Sequence, residues 1–216
     1  MRRTVRRDVR MSKSSIWIGP PPILASKSAG RRQLLEAAGI SVDVVAAKID
    51  ERAIEQDFLR EGGAPEKVAG ALARAKAIEV SARRSGALCI GADQVLTLHG
   101  EALHQSHSFE DARRQMQRLA GQTHILTSAV CVARDGRPLF ESEDRAAMTM
   151  RRLDDPTITL YFALAGPAVL ASVGGYQIEG LGVHLFEKIS GDRATIVGLP
   201  MLDLLGWFRR NGCLAL

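Results

Sequence analysis

The chain has 216 residues, 46% hydrophobic and 25% charged. That suits one large domain or two lobes around a shared core, and no apolar run approaches the ~20 residues of a membrane span. The formal net charge of +5 is local: residues 1–19 hold six of the 29 Lys and Arg and one of the 24 acids, leaving 23 of each sign in residues 20–216. The basic start therefore reads as a disordered tail before a single domain over 20–216, or as an extension ahead of a true start at Met11. It lacks the apolar core of a secretory signal. A tail contact with nucleic acid or acidic lipid is a weaker reading, so nucleic acid and membrane are not expected partners.

The predicted elements alternate. Residues 23–25 read as a short buried strand, and Ser26-Lys27-Ser28-Ala29-Gly30 as a small polar loop. Residues 31–38 read as a helix closed by Gly39. Loop amides at a helix N-terminus suit an anion. Residues 42–45 suggest a second strand, Asp50-Glu51 a loop, and residues 65–84 a long alanine-rich helix. Residues 87–96 form a strand whose apolar run is broken at Asp93. A helix over 109–119 precedes a strand over 124–133, an Asp135-Gly136 hairpin turn and a strand over 139–150. A helix over 156–164, a glycine-rich segment over 174–182, a strand over 183–189 and a helix over 201–210 complete the chain, with Pro200 at the last helix's first position. The pattern predicts an α/β fold with a mixed sheet and a cleft between two lobes.

Asp93 is the first candidate for chemistry. A carboxylate inside an apolar strand is paired, metal-bound or acts on water when buried; the other reading is a strand-end cap. Asp50-Glu51 suits a hard cation with oxygen ligands, or is a solvated acidic loop. Arg31 lies one turn from the Ser26–Gly30 loop, so its fork and the loop could grip one phosphate. Lys76 is a further cation, on a helix where lysine is more often at the surface. His99, His104 and His107 have no convincing helix and no further ligands, so no metal site is expected there. Cys89, Cys131 and Cys213 are scattered and odd in number, which argues for a reducing, cytoplasmic compartment without disulfides.

In order, these segments resemble the Maf family. Leu24-Ala25-Ser26-Lys27-Ser28-Ala29-Gly30-Arg31-Arg32-Gln33-Leu34-Leu35 is similar to its opening motif, and Asp50-Glu51 to its acidic pair. Ala75-Lys76-Ala77, Gly91-Ala92-Asp93-Gln94-Val95, Glu179-Gly180 and Val197-Gly198-Leu199-Pro200 resemble the later motifs. The resemblance implies an elongated fold like that of inosine triphosphatases, with a nucleotide in the central cleft. It implies hydrolysis of a nucleoside triphosphate to monophosphate and pyrophosphate with Mg²⁺ or Mn²⁺, and leaves a homodimer open. On this resemblance Asp93 is the general base and shares the metal with Glu51. Ser26, Ser28, Arg31 and Lys76 hold phosphates. The chain departs from the family at Ala29-Gly30, where Pro then Arg or Trp is usual, and at Gln105, where a lysine is usual. Lys27 is placed to compensate.

Base preference in the family is tied to three positions, here Gly30, Gln94 and Glu179. Gln94 and Glu179 match the branch preferring 7-methyl-GTP. Guanine offers adjacent N1–H and N2–H donors that one carboxylate accepts, and Gln94 would donate to guanine O6. Glycine at position 30 lacks the Trp that would stack on a methylated, cationic base. The expected activity is thus house-cleaning hydrolysis of a guanine-type triphosphate. The alternative is a non-catalytic nucleotide-binding regulator of septum formation, against which the two carboxylates argue.

Overall fold

The computed structural model describes residues 16–216. Ile23–Leu24 (β1) leads through a polar loop into Ala29–Ala37 (α1), and Asp43–Val44 (β2) follows. Glu51–Arg60 (α2) and Val68–Ala82 (α3) precede the long strand Cys89–Leu98 (β3), which turns back into Glu101–Leu103 (β4). Phe109–Leu119 (α4) leads to the hairpin of Thr123–Arg134 (β5) and Arg137–Met150 (β6). Its turn has φ of 50° at Asp135 and 75° at Gly136, the positive pair that a two-residue hairpin requires. Asp155–Ala165 (α5), Phe186–Ser190 (β7), Arg193–Val197 (α6) and Met201–Arg210 (α7) complete the described chain.

One mixed sheet runs β2-β1-β3-β5-β6-β7, with β4 paired to β3. β1 is parallel to β2 and β3, and the remaining pairs are antiparallel. The two largest apolar cores share the long strands. Leu24, Leu35, Ile90, Val132 and Phe208 pack around β1, α1 and α7. Leu96, Met116, Leu119, Met148 and Ile158 pack around α4 and α5. The mixed sheet between two lobes agrees with the sequence reading.

Several boundaries differ from that reading. Residues 50 and 51 are not a loop: Asp50 is the N-cap of α2, its carboxylate accepting from the Ala53 amide at 3.0 Å, and Glu51 is the first helical residue. The helix expected over 65–84 is a 3₁₀ turn, Pro65–Lys67, followed by α3. The strand expected over 183–189 begins only at Phe186, because Leu181–Leu185 is a 3₁₀ turn folded against the Gln177 backbone. Pro200 is the N-cap of α7 and not its first residue. Of the expected tail, residues 1–15 lie outside the described residues. Residues 16–19 belong to the folded body: Trp17 bridges Leu214 and sets its ring edge-on to Phe208, centroids 4.9 Å apart.

The crossing of α3 over β3 has a steric basis. The α3 face is Ala69, Ala73 and Ala77, all buried. A Cβ on Gly91 would lie 2.1 Å from the Ala73 carbonyl oxygen and 2.6 Å from the Ala77 amide nitrogen. Helix and strand therefore touch backbone to backbone. Gly91→Ala is expected to lower stability by about 1–3 kcal/mol, the usual cost of overpacking, read as a lower denaturant midpoint.

In the second core His124 is fully buried, its Nε2 2.6 Å from the Tyr176 hydroxyl and its Nδ1 without a partner among the described residues. Burial pulls its pKa from 6.5 to about 4, so the folded imidazole is neutral. The unfolded chain then binds the extra proton first. This stability is fully present above about pH 6.5 and is lost as pH falls towards 4, on the order of 3 kcal/mol in all. Urea unfolding at a series of pH values should show that loss, and His124→Gln should flatten it.

Candidate active site

The site lies at a gap in the sheet. β3 pairs with β1 only as far as Leu24 opposite Ile90, and with β4 only from Leu96. Between them, residues 91–95 of β3 have no strand partner on that side among the described residues. Asp93 and Gln94 sit in this gap, one on each face of β3 by strand alternation. The chain leaves β1 here as the Ser26–Ser28 loop and enters α1.

That loop is organised by its serines. Ser28 caps α1, its hydroxyl accepting from the Arg31 amide at 3.3 Å. The Ser26 hydroxyl accepts from the Ser28 amide at 3.3 Å and from Arg31 Nη1 at 3.0 Å. Both hydroxyls are thus used as acceptors and donate to no group among the described residues, which leaves their protons for an anion. The buried Arg31 also donates from Nη1 to the Ala92 carbonyl at 2.9 Å and from Nε to the Gly198 carbonyl at 2.9 Å. Burial lowers its pKa, while Asp93 and Glu51 oppose that shift. Arg31 therefore ties loop, strand edge and the 198 turn together. Its Nη2 faces Asp93 at 3.8 Å.

On the α3 side, Lys76 Nζ lies 3.1 Å from Asp93 Oδ1 and 3.0 Å from Glu51 Oε1. Its side chain is 9% exposed and that of Asp93 15%, whereas Glu51 is 55% exposed. The structure thus brings Ser26, Ser28, Arg31, Lys76, Asp93 and Glu51 together, with the two carboxylates joined through one ammonium. No group of three or more His, Cys, Asp or Glu suited to a metal occurs among the described residues. Two carboxylates are nevertheless the usual protein share of a Mg²⁺ site whose other ligands are water and phosphate oxygens.

A cleft of about 530 Å³ adjoins this group, within the range of small-ligand sites. Gly30, Gln94 and Glu179 line it together with Tyr176, Ile178 and Val197. A Cβ on Gly30 would lie 2.8 Å from Val197 Cγ1 and 3.8 Å from Glu179 Oε1. The space that a larger residue would fill is therefore occupied by Val197. Gln94 corrects the expectation of a donor to O6. Its Nε2 lies 2.9 Å from Ser128 Oγ and 3.0 Å from each of the Thr195 and Ile196 carbonyls, so its two protons are shared among these three acceptors. Only the carbonyl oxygen Oε1 is left for a ligand.

Other candidates fall elsewhere. His104 Nε2 is 3.6 Å from Glu55 Oε1, outside this cleft. Gln105 donates to the Leu170 carbonyl. Lys27 lines the cleft without an ion-pair partner among the described residues, as a compensating cation would. Tyr176, Ser128 and Thr195 have no role in the sequence reading, whereas Val197 opens the Val197-Gly198-Leu199-Pro200 motif. The glycine-rich run 174–182 contains Tyr176, and the Val197 motif lies two residues from Thr195.

A family model described as Maf-like protein matches residues 21–211. A 7-methyl-GTP pyrophosphatase of Brucella abortus biovar 1 (strain 9-941) is 51% identical over 192 residues, 89% of this chain and 96% of its own. The 7-methyl-GTP pyrophosphatase of Mesorhizobium japonicum is 50% identical over the same shares. A nucleoside triphosphate pyrophosphatase of Rhodopseudomonas palustris (strain HaA2) is 45% identical over 202 residues, 93% of this chain and 99% of its own.

Proposed function

The chain belongs to the Maf-like protein family, and on that premise we propose that it is a nucleoside triphosphate pyrophosphatase acting on a guanine-type nucleotide. The observation that carries this is the half-hidden Asp93 carboxylate between Arg31 and Lys76, beside a cleft lined by Ser28, Gln94 and Glu179. A phosphate chain and a base fit the two ends of one such cleft. Water attacks phosphorus, the bond between the α and β phosphates breaks, and monophosphate and pyrophosphate leave.

The free hydroxyl protons of Ser26 and Ser28 and the α1 N-terminus hold phosphate oxygens. Lys76 shifts from carboxylate to phosphate as substrate enters, and Arg31 holds Asp93 in place. Asp93 accepts the proton of the attacking water. Glu51 and Asp93 would hold a divalent cation, Mg²⁺ or Mn²⁺, which supplies Lewis-acid stabilisation of phosphate charge. Glu179 accepts from guanine N1–H and N2–H. Since Val197 closes the space beside Gly30, a 7-methyl group gains no aromatic stacking there. No helix among the described residues is long and apolar enough to cross a membrane. A cytoplasmic setting fits the free thiols Cys89 and Cys131.

Asp93→Asn is expected to fold and to lose about 10²–10⁴-fold in pyrophosphate release from GTP with Mg²⁺, and chelation should silence the unmutated protein. Near-normal turnover in either case overturns the assignment. Glu179→Gln is expected to shift relative kcat/KM from GTP towards UTP by about tenfold, because a carboxylate faces uracil's two carbonyls with lone pairs and an amide need not. The comparison of GTP, 7-methyl-GTP and UTP on both proteins checks this.

A further inference from the structure

Gln94, Ser128 and Asp144 stand directly opposite one another in neighbouring strands: Gln94 pairs with Ser128, and Ser128 with Asp144. Thr195, in α6, lies across this row. Its Oγ1 donates to Asp144 Oδ2 at 2.5 Å, and its carbonyl accepts from the Ser128 hydroxyl at 2.7 Å. Ser128 and Thr195 are fully buried.

The row decides which way the Gln94 amide points. At the end of α6 the Thr195 carbonyl accepts from the Gly198 amide at 3.1 Å, and the Thr195 and Ile196 carbonyls also face the Gln94 NH₂ group. The Ser128 proton is committed to the Thr195 carbonyl, so Ser128 can only accept from Gln94. Turning the amide over would set its oxygen against three oxygens. The orientation is therefore held by Ser128 directly, and by Thr195 through its anchor on Asp144.

We propose that Ser128, Thr195 and Asp144 are positioning residues that lock the Gln94 amide carbonyl towards the cleft, so that the base is read by acceptors alone and must offer both N1–H and a 2-amino group. This rests on the guanine-type pyrophosphatase reading above. Glu179 and Gln94 then present three oxygens to the base and no donor. Guanine supplies three N–H bonds along that edge. Hypoxanthine has N1–H but no 2-amino group, and uracil has one N–H between two carbonyls. The site thus rejects a purine that differs from guanine by a single amino group.

The test compares kcat and KM for GTP and ITP with Mg²⁺ in the unmutated protein, Thr195→Val and Thr195→Ser. It also follows the ¹⁵N-labelled side-chain amide of Gln94 while GMP is added. The expected results are a GTP preference of about tenfold, the size of one lost hydrogen bond to a partly buried acceptor. Thr195→Val should raise KM for GTP more than it lowers kcat and close the gap to ITP, and Thr195→Ser should restore it. The Gln94 NH₂ protons should exchange slowly with solvent and remain as slow when GMP binds. Equal use of GTP and ITP, equal slowing of both by Thr195→Val, or Gln94 NH₂ protons that exchange freely with solvent would overturn the proposal. Should Thr195→Val fail to fold, Asp144→Ala removes the same anchor from the less buried end of the row and is read by the same criteria. Absence of hydrolysis of any triphosphate would instead defeat the pyrophosphatase reading, and the GMP titration would still report on Gln94.

Discussion

A carboxylate held at the unpaired edge of a strand is the constraint on which the remaining architecture depends. Asp93 is largely withdrawn from water, and an uncompensated charge there would cost several kcal/mol. Arg31 and Lys76 supply the compensation from opposite sides. Each requires its own support. Arg31 is fixed by Ser26, Ala92 and Gly198, which binds the first loop, the strand edge and the turn before α7 into one unit. Lys76 reaches Asp93 because α3 lies directly on Gly91. The alanines of that helix, unremarkable as helix formers, are what let it approach so closely.

The same edge explains how one strand serves two purposes. Asp93 and its neighbour Gln94 project to opposite faces of β3. Asp93 meets the cations of α3 and α1, whereas Gln94 meets the end of α6. Charge chemistry and shape reading are thus separated by one peptide unit, and neither set of partners competes with the other.

Much of this arrangement was legible in the residues. The apolar run broken at Asp93, the serine loop before a helix and the Asp135-Gly136 turn each carry a local physical signature, and the structure has the strand, the cap and the hairpin there. Other features have no such signature. The α2 helix was missed because Asp50-Glu51 reads as an acidic pair, although an Asp followed by Glu is also a helix start. The five-residue α6 is too short for a period to register. The role of Gln94 was misjudged for a different reason: which end of an amide faces a ligand depends on carbonyls 101 and 102 residues away in sequence. The packing of residues 16–19 on Leu214 and Phe208 is likewise a long-range contact, hidden behind a basic stretch that dominates the local composition.

The long strands carry one more implication. β5 stays in register with β3 from Cys89–Ala133 to Thr97–Ile125, and with β6 along nearly its whole length. The two lobes therefore share a continuous ladder, and swinging one against the other would shear hydrogen bonds in its middle. Domain closure of the hinged kind is thus disfavoured, since hinges need a few isolated residues to absorb the rotation. The segment of 3₁₀ turns from Gly166 to Leu185, which carries Tyr176 and Glu179, lies outside the ladder, but its Val169, Tyr176 and Leu185 are buried in the second core and the Tyr176 hydroxyl meets His124, so both walls of the cleft are built before a ligand arrives.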